Sequence, residues 1–377
     1  MKAVSSILAL LAVCLASAAL SLGASAGASA GASAKTPSYP DAKPMYVVRP
    51  PRLNGAAPRA AASVHLTQWS GKFTDLTHSP ITFTMVGTNP TSTNVTTTIP
   101  VFIIPIKMVY GISNGNLTFD PVAKKLPSGK SIIQNTIASP VFDPSQNFTQ
   151  GGVNLGTTQY IDAYQRGNFW STVKSRPKYH VLLGRPTVLA EQSISVAKSL
   201  GMVITNPFGA GKVGTYDINA FDAKLQAYMT KFTQINPGTL PIFVTYDVYL
   251  TQGGCCIGGY HSANASEPAG QTYATFTYVD HPGSFSQDVS ALSHEVGEWM
   301  DDPFVDNFVH CTDNSVMENG DPLEGNANYG SFPYTLNGFT YNLQSLVFIP
   351  YFGDKRATSV HSWLSFQNDQ HTVCPGQ

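Results

Sequence analysis

"SHEVGEWMDDP", residues 293–303, has the His-Glu pair and two-residue spacer of a zinc-protease helix, but Glu298 stands where the second histidine of H-E-x-x-H belongs. Two readings compete: a metal site built with a carboxylate, or a solvated acidic helix face. The surrounding stretch "GSFSQDVSALSHEVGEWMDDP", residues 283–303, repeats apolar Val289, Leu292, Val296 and Trp299 at helical spacing, which predicts a helix with one buried face. Ser286 is the expected N-cap, Asp288 suits the first turn, and Pro303 ends the helix after Asp302. His294, Glu298 and Asp301 fall on a different face, at intervals of four and three.

A helix brings residues four apart within one turn of each other. His294 and Glu298 are therefore expected to hold one ion together, with Glu295 about 100° round the helix and facing a water bound to it. A carboxylate oxygen ligates zinc at about 2.0–2.2 Å, so the exchange of His for Glu is chemically permitted. A third ligand is needed. In the metzincin pattern the glycine and third-histidine positions are Asp301 and Phe304 here, which excludes that class. A Glu some twenty residues on is the gluzincin arrangement, and Glu318 in "MENGDPLEG" stands there; Asp321 is the main alternative and His310 a further one. The chain has six Glu in all, and three occupy these positions, although only 12% of residues are charged. That concentration favours the metal reading. Zinc is the expected ion, with calcium in the acidic loop as its competitor, although nothing there matches an EF-hand.

"ALSHEVGEWMDDP", "MENGDPLEG" and, upstream, "CCIGGYHSA" resemble a group of exported bacterial proteins with an H-E-x-x-E motif, regarded as zincin-like peptidases; the likeness to the phosphate-induced, exordium-like secreted proteins is more distant. The resemblance covers about residues 240–352. It implies a zincin-like fold, ligand roles for His294 and Glu298, the general-base role for Glu295, and a third ligand from the "MENGDPLEG" segment. This chain has Leu323 where "DPCE" is common in the group.

Other chemical strings carry less. "GISNG", residues 111–115, satisfies G-x-S-x-G around Ser113, but Asn114-Gly115 followed by "NLTFD" indicates a hairpin rather than the strand–turn–helix such a nucleophile needs. "FGAGKVG", residues 208–214, lacks the leading Gly and the Ser/Thr of a phosphate loop. His261 and His281 are lone histidines near the motif, a type more often structural than ligating.

The N-terminus reads as a secretory signal peptide, residues 1–26: one lysine, an apolar run, then small residues around Ala24 and Ala26. A secreted, extracellular or periplasmic protein follows, with no membrane attachment after cleavage. Residues 27–62, a Gly/Ala/Ser repeat and then a Pro- and Ala-rich stretch, read as a flexible linker. Residues 63–377 read as one large domain, divisible into a β-rich lobe, 63–235, and a zincin-like lobe, 236–377. The expected class is α+β, a β-rich N-terminal portion joined to a C-terminal portion built round one active-site helix.

A net charge of −1 offers no basic footprint for nucleic acid. With Cys14 inside the signal, Cys255, Cys256, Cys311 and Cys374 remain, expected to pair as two disulfides, with the adjacent pair reaching Cys311 and Cys374. The expected activity is zinc-dependent hydrolysis of peptide or protein substrates. Its rival is a non-catalytic secreted or cell-surface binding protein, whose Tyr and Phe would contact polysaccharide.

Overall fold

Apolar, β-branched runs form the middle of a mixed sheet, because strands covered on both faces have no polar side to present. The computed structural model describes residues 39–51, 64–313 and 315–377. Strands β1 (Val101–Tyr110), β2 (Gln192–Val196), β3 (Leu240–Tyr246), β4 (Gly259–Ala263) and β5 (Thr272–Tyr278) stand in the order β2-β1-β3-β5-β4. The first four in that order are parallel, and β4 closes the edge antiparallel to β5. Every residue of β3 and β5 is buried.

Helices cover both faces. Helix α1 (Tyr160–Asn168) is followed by α2 (Ile218–Lys231), which Asp217 caps through the Ala220 N–H at 2.9 Å and which buries Ile218, Phe221, Leu225 and Met229. Side chains alternate along a strand. Tyr260 and Tyr273 therefore reach toward α2, donating their hydroxyls to Asp222, while Thr272 faces the other way and accepts a 2.9 Å hydrogen bond from the Trp299 indole. Trp299 lies on helix α3 (Ser290–Asp301), the helix expected from the opening motif. A hairpin lies against this helix: strands Ser331–Leu336 and Phe339–Gln344 meet at Asn337 and Gly338, both at positive φ, and the second strand packs on α3. The architecture is α+β.

Several expectations need correction. The helix starts at Ser290 rather than after Ser286, which sits in the preceding loop at φ 59°. Asp288 also precedes the helix, accepting hydrogen bonds from the Val289 N–H and from Asn342. Cys255 bonds to its neighbour Cys256, and Cys311 to Cys374, so the expected crossed pairing does not form. The reason is distance along the fold: Cys255 and Cys256 lie in a short strand next to β4, whereas Cys311 meets the C-terminal segment, its Cα 5.6 Å from that of Cys374. The two supposed lobes share one sheet, since β1 and β2 come from residues before 236 and β3 to β5 from residues after it. β5 is interior to the sheet and β4 is its edge.

The assumed linker is in part ordered. Of residues 39–51, Lys43–Met45 run beside Cys255–Ile257 after a turn at residues 40–41, with Met45 bridged to Ile257 in parallel. The expected signal peptide and the rest of the linker lie outside the described residues. No helix among the described residues is long and apolar enough to cross a membrane.

Candidate metal centre

All twelve residues of α3 are buried, so its polar face meets the protein interior and not solvent. His294 Nε2 lies 2.9 Å from Glu298 Oε1 and 3.4 Å from Asp321 Oδ1, and one donor atom from each of the three falls within 4.8 Å of the others. Ligand atoms held about 2 Å from one ion stand roughly 3–3.5 Å apart, so this spacing suits a single cation. The turn after Asn319 supplies the geometry. Gly320 and Asp321 donate their backbone N–H groups to Glu298 Oε1 at 3.0 and 3.3 Å, which fixes the carboxylate and places the Asp321 side chain beside it.

The His294 imidazole is gripped on both sides. The Tyr46 ring stacks on it at 3.5 Å between centroids and 22° between planes. Gly320 packs against it so closely that a Cβ there would stand 2.3 Å from Nδ1. Both His294 nitrogens, Glu295 Oε1 and Asp321 Oδ1 are buried with no hydrogen-bond partner. Buried polar atoms are almost always satisfied. A divalent ion bound by one imidazole and two carboxylates would satisfy His294 Nε2 and Asp321 Oδ1 at once, and this donor set fits zinc as well as harder cations.

A second group adjoins the first through Glu298. His261, on β4, donates its Nε2–H to the Asp302 carbonyl at 2.9 Å, which leaves Nδ1 directed at acids: 3.7 Å from Glu295 Oε2, 3.7 Å from Glu298 Oε2 and 3.8 Å from Glu318 Oε2. A backbone carbonyl holding the outer nitrogen is the usual way a ligating histidine is oriented. His261, Glu295 and Glu298 also bring their ligand atoms within 4.8 Å. Gly259 makes room for this: a Cβ there would lie 2.7 Å from Glu295 Oε1.

Charge is distributed unevenly over the centre. Burial opposes protonation of His261, yet the neighbouring carboxylates of Glu295 and Glu298 raise its pKa to about 10. Burial lifts Glu295 to about 7, against the pull of His261 and His294. Glu298 goes the other way: burial resists ionisation, but His294 and the nearby His261 hold it below the ordinary carboxylate range. Burial and the Glu298 charge raise Glu318 and Asp321. Glu324, half-way out, is lifted to about 8 by burial and then by Asp321.

Of the residues singled out in the sequence, His294, Glu295 and Glu298 converge, and Asp321 joins His294 and Glu298. Glu318 is placed on the His261 side of Glu298. His310 stands apart, paired with Asp75 at 2.8 Å. Asp301 points away from His294 and accepts hydrogen bonds from Tyr164, Gln165 and Asn319. Asp302 accepts from the backbone of Asp306 and Asn307, and Asp313 from Tyr351, so these loop carboxylates are directed at protein donors. Ser113 is exposed in a short turn (Ile112–Asn114) between strands, without the helix a serine nucleophile requires. Sequence reasoning passed over Tyr46 altogether and left His261 as a lone histidine; the spacing that unites them with α3 exists only in three dimensions.

The fold and site define an α+β chain with a buried histidine–carboxylate centre. Comparison with family models, curated proteins and solved structures finds no match.

Proposed function

We propose that the chain is a zincin-like, metal-dependent hydrolase acting on peptide bonds. The observation that supports this most is the convergence of His294 Nε2, Glu298 Oε1 and Asp321 Oδ1, with orphaned polar atoms among them. His294, Glu298 and Asp321 would hold the ion. When bound, a divalent ion acidifies a coordinated water and polarises a carbonyl. Glu295 is the residue that takes the proton: its Oε1 is free of hydrogen bonds, and a pKa of about 7 suits a general base near neutrality. His261, on the opposite side of Glu295, orients that carboxylate through Oε2.

Metal analysis of the purified protein beside Glu295→Gln tests this reading. The expected result is near-stoichiometric zinc in both proteins and peptide hydrolysis reduced by about a hundredfold or more in the variant. Folded protein that takes up no zinc would overturn it. A second reading, a binding protein that keeps the centre for stability, is favoured by the complete enclosure of His294, at 0% exposure. Zinc without turnover in any exposed form of the site would establish that alternative.

A further inference from the structure

His294, Glu295 and Glu298 are at most 2% exposed, so no polypeptide carbonyl reaches them in the structure as it stands. One face of the His294 ring is covered by Gly320 and the other by Tyr46 of the segment 39–51. Lys43 donates its N–H to the Cys255 carbonyl at 2.7 Å and accepts from the Cys256 N–H at 2.7 Å; Met45 donates to Cys256 O at 2.9 Å and accepts from Gly258 N at 3.0 Å. Farther along, Ser262 Oγ donates to the Arg49 carbonyl at 2.8 Å, and the Arg49 guanidinium lies over the Tyr260 ring and 3.4 Å from Asp222. The segment thus adds a parallel strand beside the short strand that leads into β4, in the manner of β-augmentation. Between those anchors the Tyr46 ring descends onto His294, bounded on its other side by Phe285 at 5.0 Å.

The hold is narrow. Of residues 39–51 only Tyr46 is buried; the others are intermediate or exposed. A segment at the surface, kept by a few backbone hydrogen bonds, the Arg49 contacts, one buried ring and partly buried apolar side chains, opens more readily than a strand buried at every residue. A core strand such as β3, buried at every residue, has no such freedom.

We infer that residues 39–51 are a built-in strap occupying the polypeptide groove of the centre, and that substrate is an extended polypeptide which replaces the strap and presents an aromatic side chain where Tyr46 now covers His294. This rests on the hydrolase reading for the identity of the reaction, but the occlusion is a separate claim. Chain cleavage between the strap and the strand starting at Gln68 is the simplest way to convert a tethered occupant into a dissociable one.

The test uses the full chain with a site-specific protease sequence set within residues 52–63, cut after folding, together with full-length Tyr46→Ala. In chelator-treated protein, carbethoxylation of His294 by diethyl pyrocarbonate is followed by peptide mass mapping, and hydrolysis is read with zinc-loaded protein on a peptide library. Cutting followed by dilution, and Tyr46→Ala, are each expected to speed modification of His294 by about tenfold or more. A synthetic peptide of residues 39–51 should restore protection, and its Tyr46→Ala counterpart should not. Unchanged His294 modification in both proteins would overturn the strap, as would wild-type hydrolysis at the same kcat/KM before and after cutting. Faster modification with new cleavage beside Phe or Tyr supports strap and hydrolase together. Faster modification with no hydrolysis of any peptide supports the strap and overturns the hydrolase reading alone.

Discussion

Among the described residues the histidine–carboxylate groups fall in two places, one beyond the ends of β3 and β5 and one around α3, and they are built differently. Asp247, Asp280 and His281 gather beyond the ends of β3 and β5, where Lys124 reaches Asp280 at 2.8 Å and His281 lies 3.3 Å from Asp247. Asp280 and His281 keep some exposure there, and a lysine answers the negative charge. Around α3 the carboxylates of Glu295 and Glu298 are enclosed while that of Asp321 is part-exposed, and every ion pair the three make among the described residues runs to His261 or His294. Acids and a histidine near each other are common. What separates the second cluster is a deficit of fixed cation in a place closed to water, since isolated buried charge is among the costliest arrangements a protein can hold. A metal ion, if bound there as proposed, would remove that deficit; a lysine already does so at the first cluster.

The sharpest way to break this comparison is to remove one acid from each cluster. Glu298→Ala, which takes away the carboxylate common to both halves of the α3 centre, should lower zinc affinity by more than about a hundredfold, beyond what loss of an outer partner costs. Asp280→Asn should leave zinc content unchanged. Competition with a chromophoric chelator measures both, and equal losses would mean the clusters are equivalent.

Gly320→Ala makes a smaller and more pointed change. The added methyl meets the His294 ring, so the chain must shift by several tenths of an ångström, an overpacking strain of about 1–3 kcal/mol. Zinc affinity and thermal stability should fall together, whereas Gly325→Ala, with open space at its Cβ, should alter neither by this route.

The first cluster has its own signature in pH. Burial and the Asp280 charge raise Asp247 to about 8, from an ordinary value of 3.8. Between about pH 4 and 8 the folded chain therefore keeps a proton that the unfolded chain has released, and this carboxyl makes stability fall as pH rises across that window. Asp247→Asn should flatten the slope, measured as Tm against pH by calorimetry. Asn also accepts the positive φ of 51° at this position. The smallest effect is expected from Lys124→Met. Lys124 is 38% exposed, and its surface pairing with Asp280 should change stability by less than about 1 kcal/mol in chemical denaturation.

Much of the local structure was legible in the chain. Val289, Leu292, Val296 and Trp299 mark α3 because a helix turns its side chains with a fixed period, and Asn337-Gly338 marks a hairpin because few residues accept positive φ twice in succession. The continuous apolar runs of β1 and β3 likewise point to a sheet covered on both faces. The disulfides were not legible: the rarity of bonds between adjacent cysteines favoured the wrong pairing, and only the path of the chain brings Cys374 to Cys311. The interval of twenty that pointed to Glu318 counts residues, whereas the fold sets distances: Glu318 faces His261, and the backbone turn at Gly320 puts Asp321 beside His294.

By itself, then, the sequence determined a helix carrying His294 and Glu298 on one face with Glu295 about 100° round from them, since helical period is a property of neighbours in the chain. Tertiary structure alone decided that this face lies indoors, that His261 from the edge strand and Asp321 from a later turn meet it, and that Tyr46, in a stretch of linker-like composition, covers it. Those contacts join residues far apart in sequence, and they depend on sheet order and strand pairing, which leave no periodic trace in the residues involved.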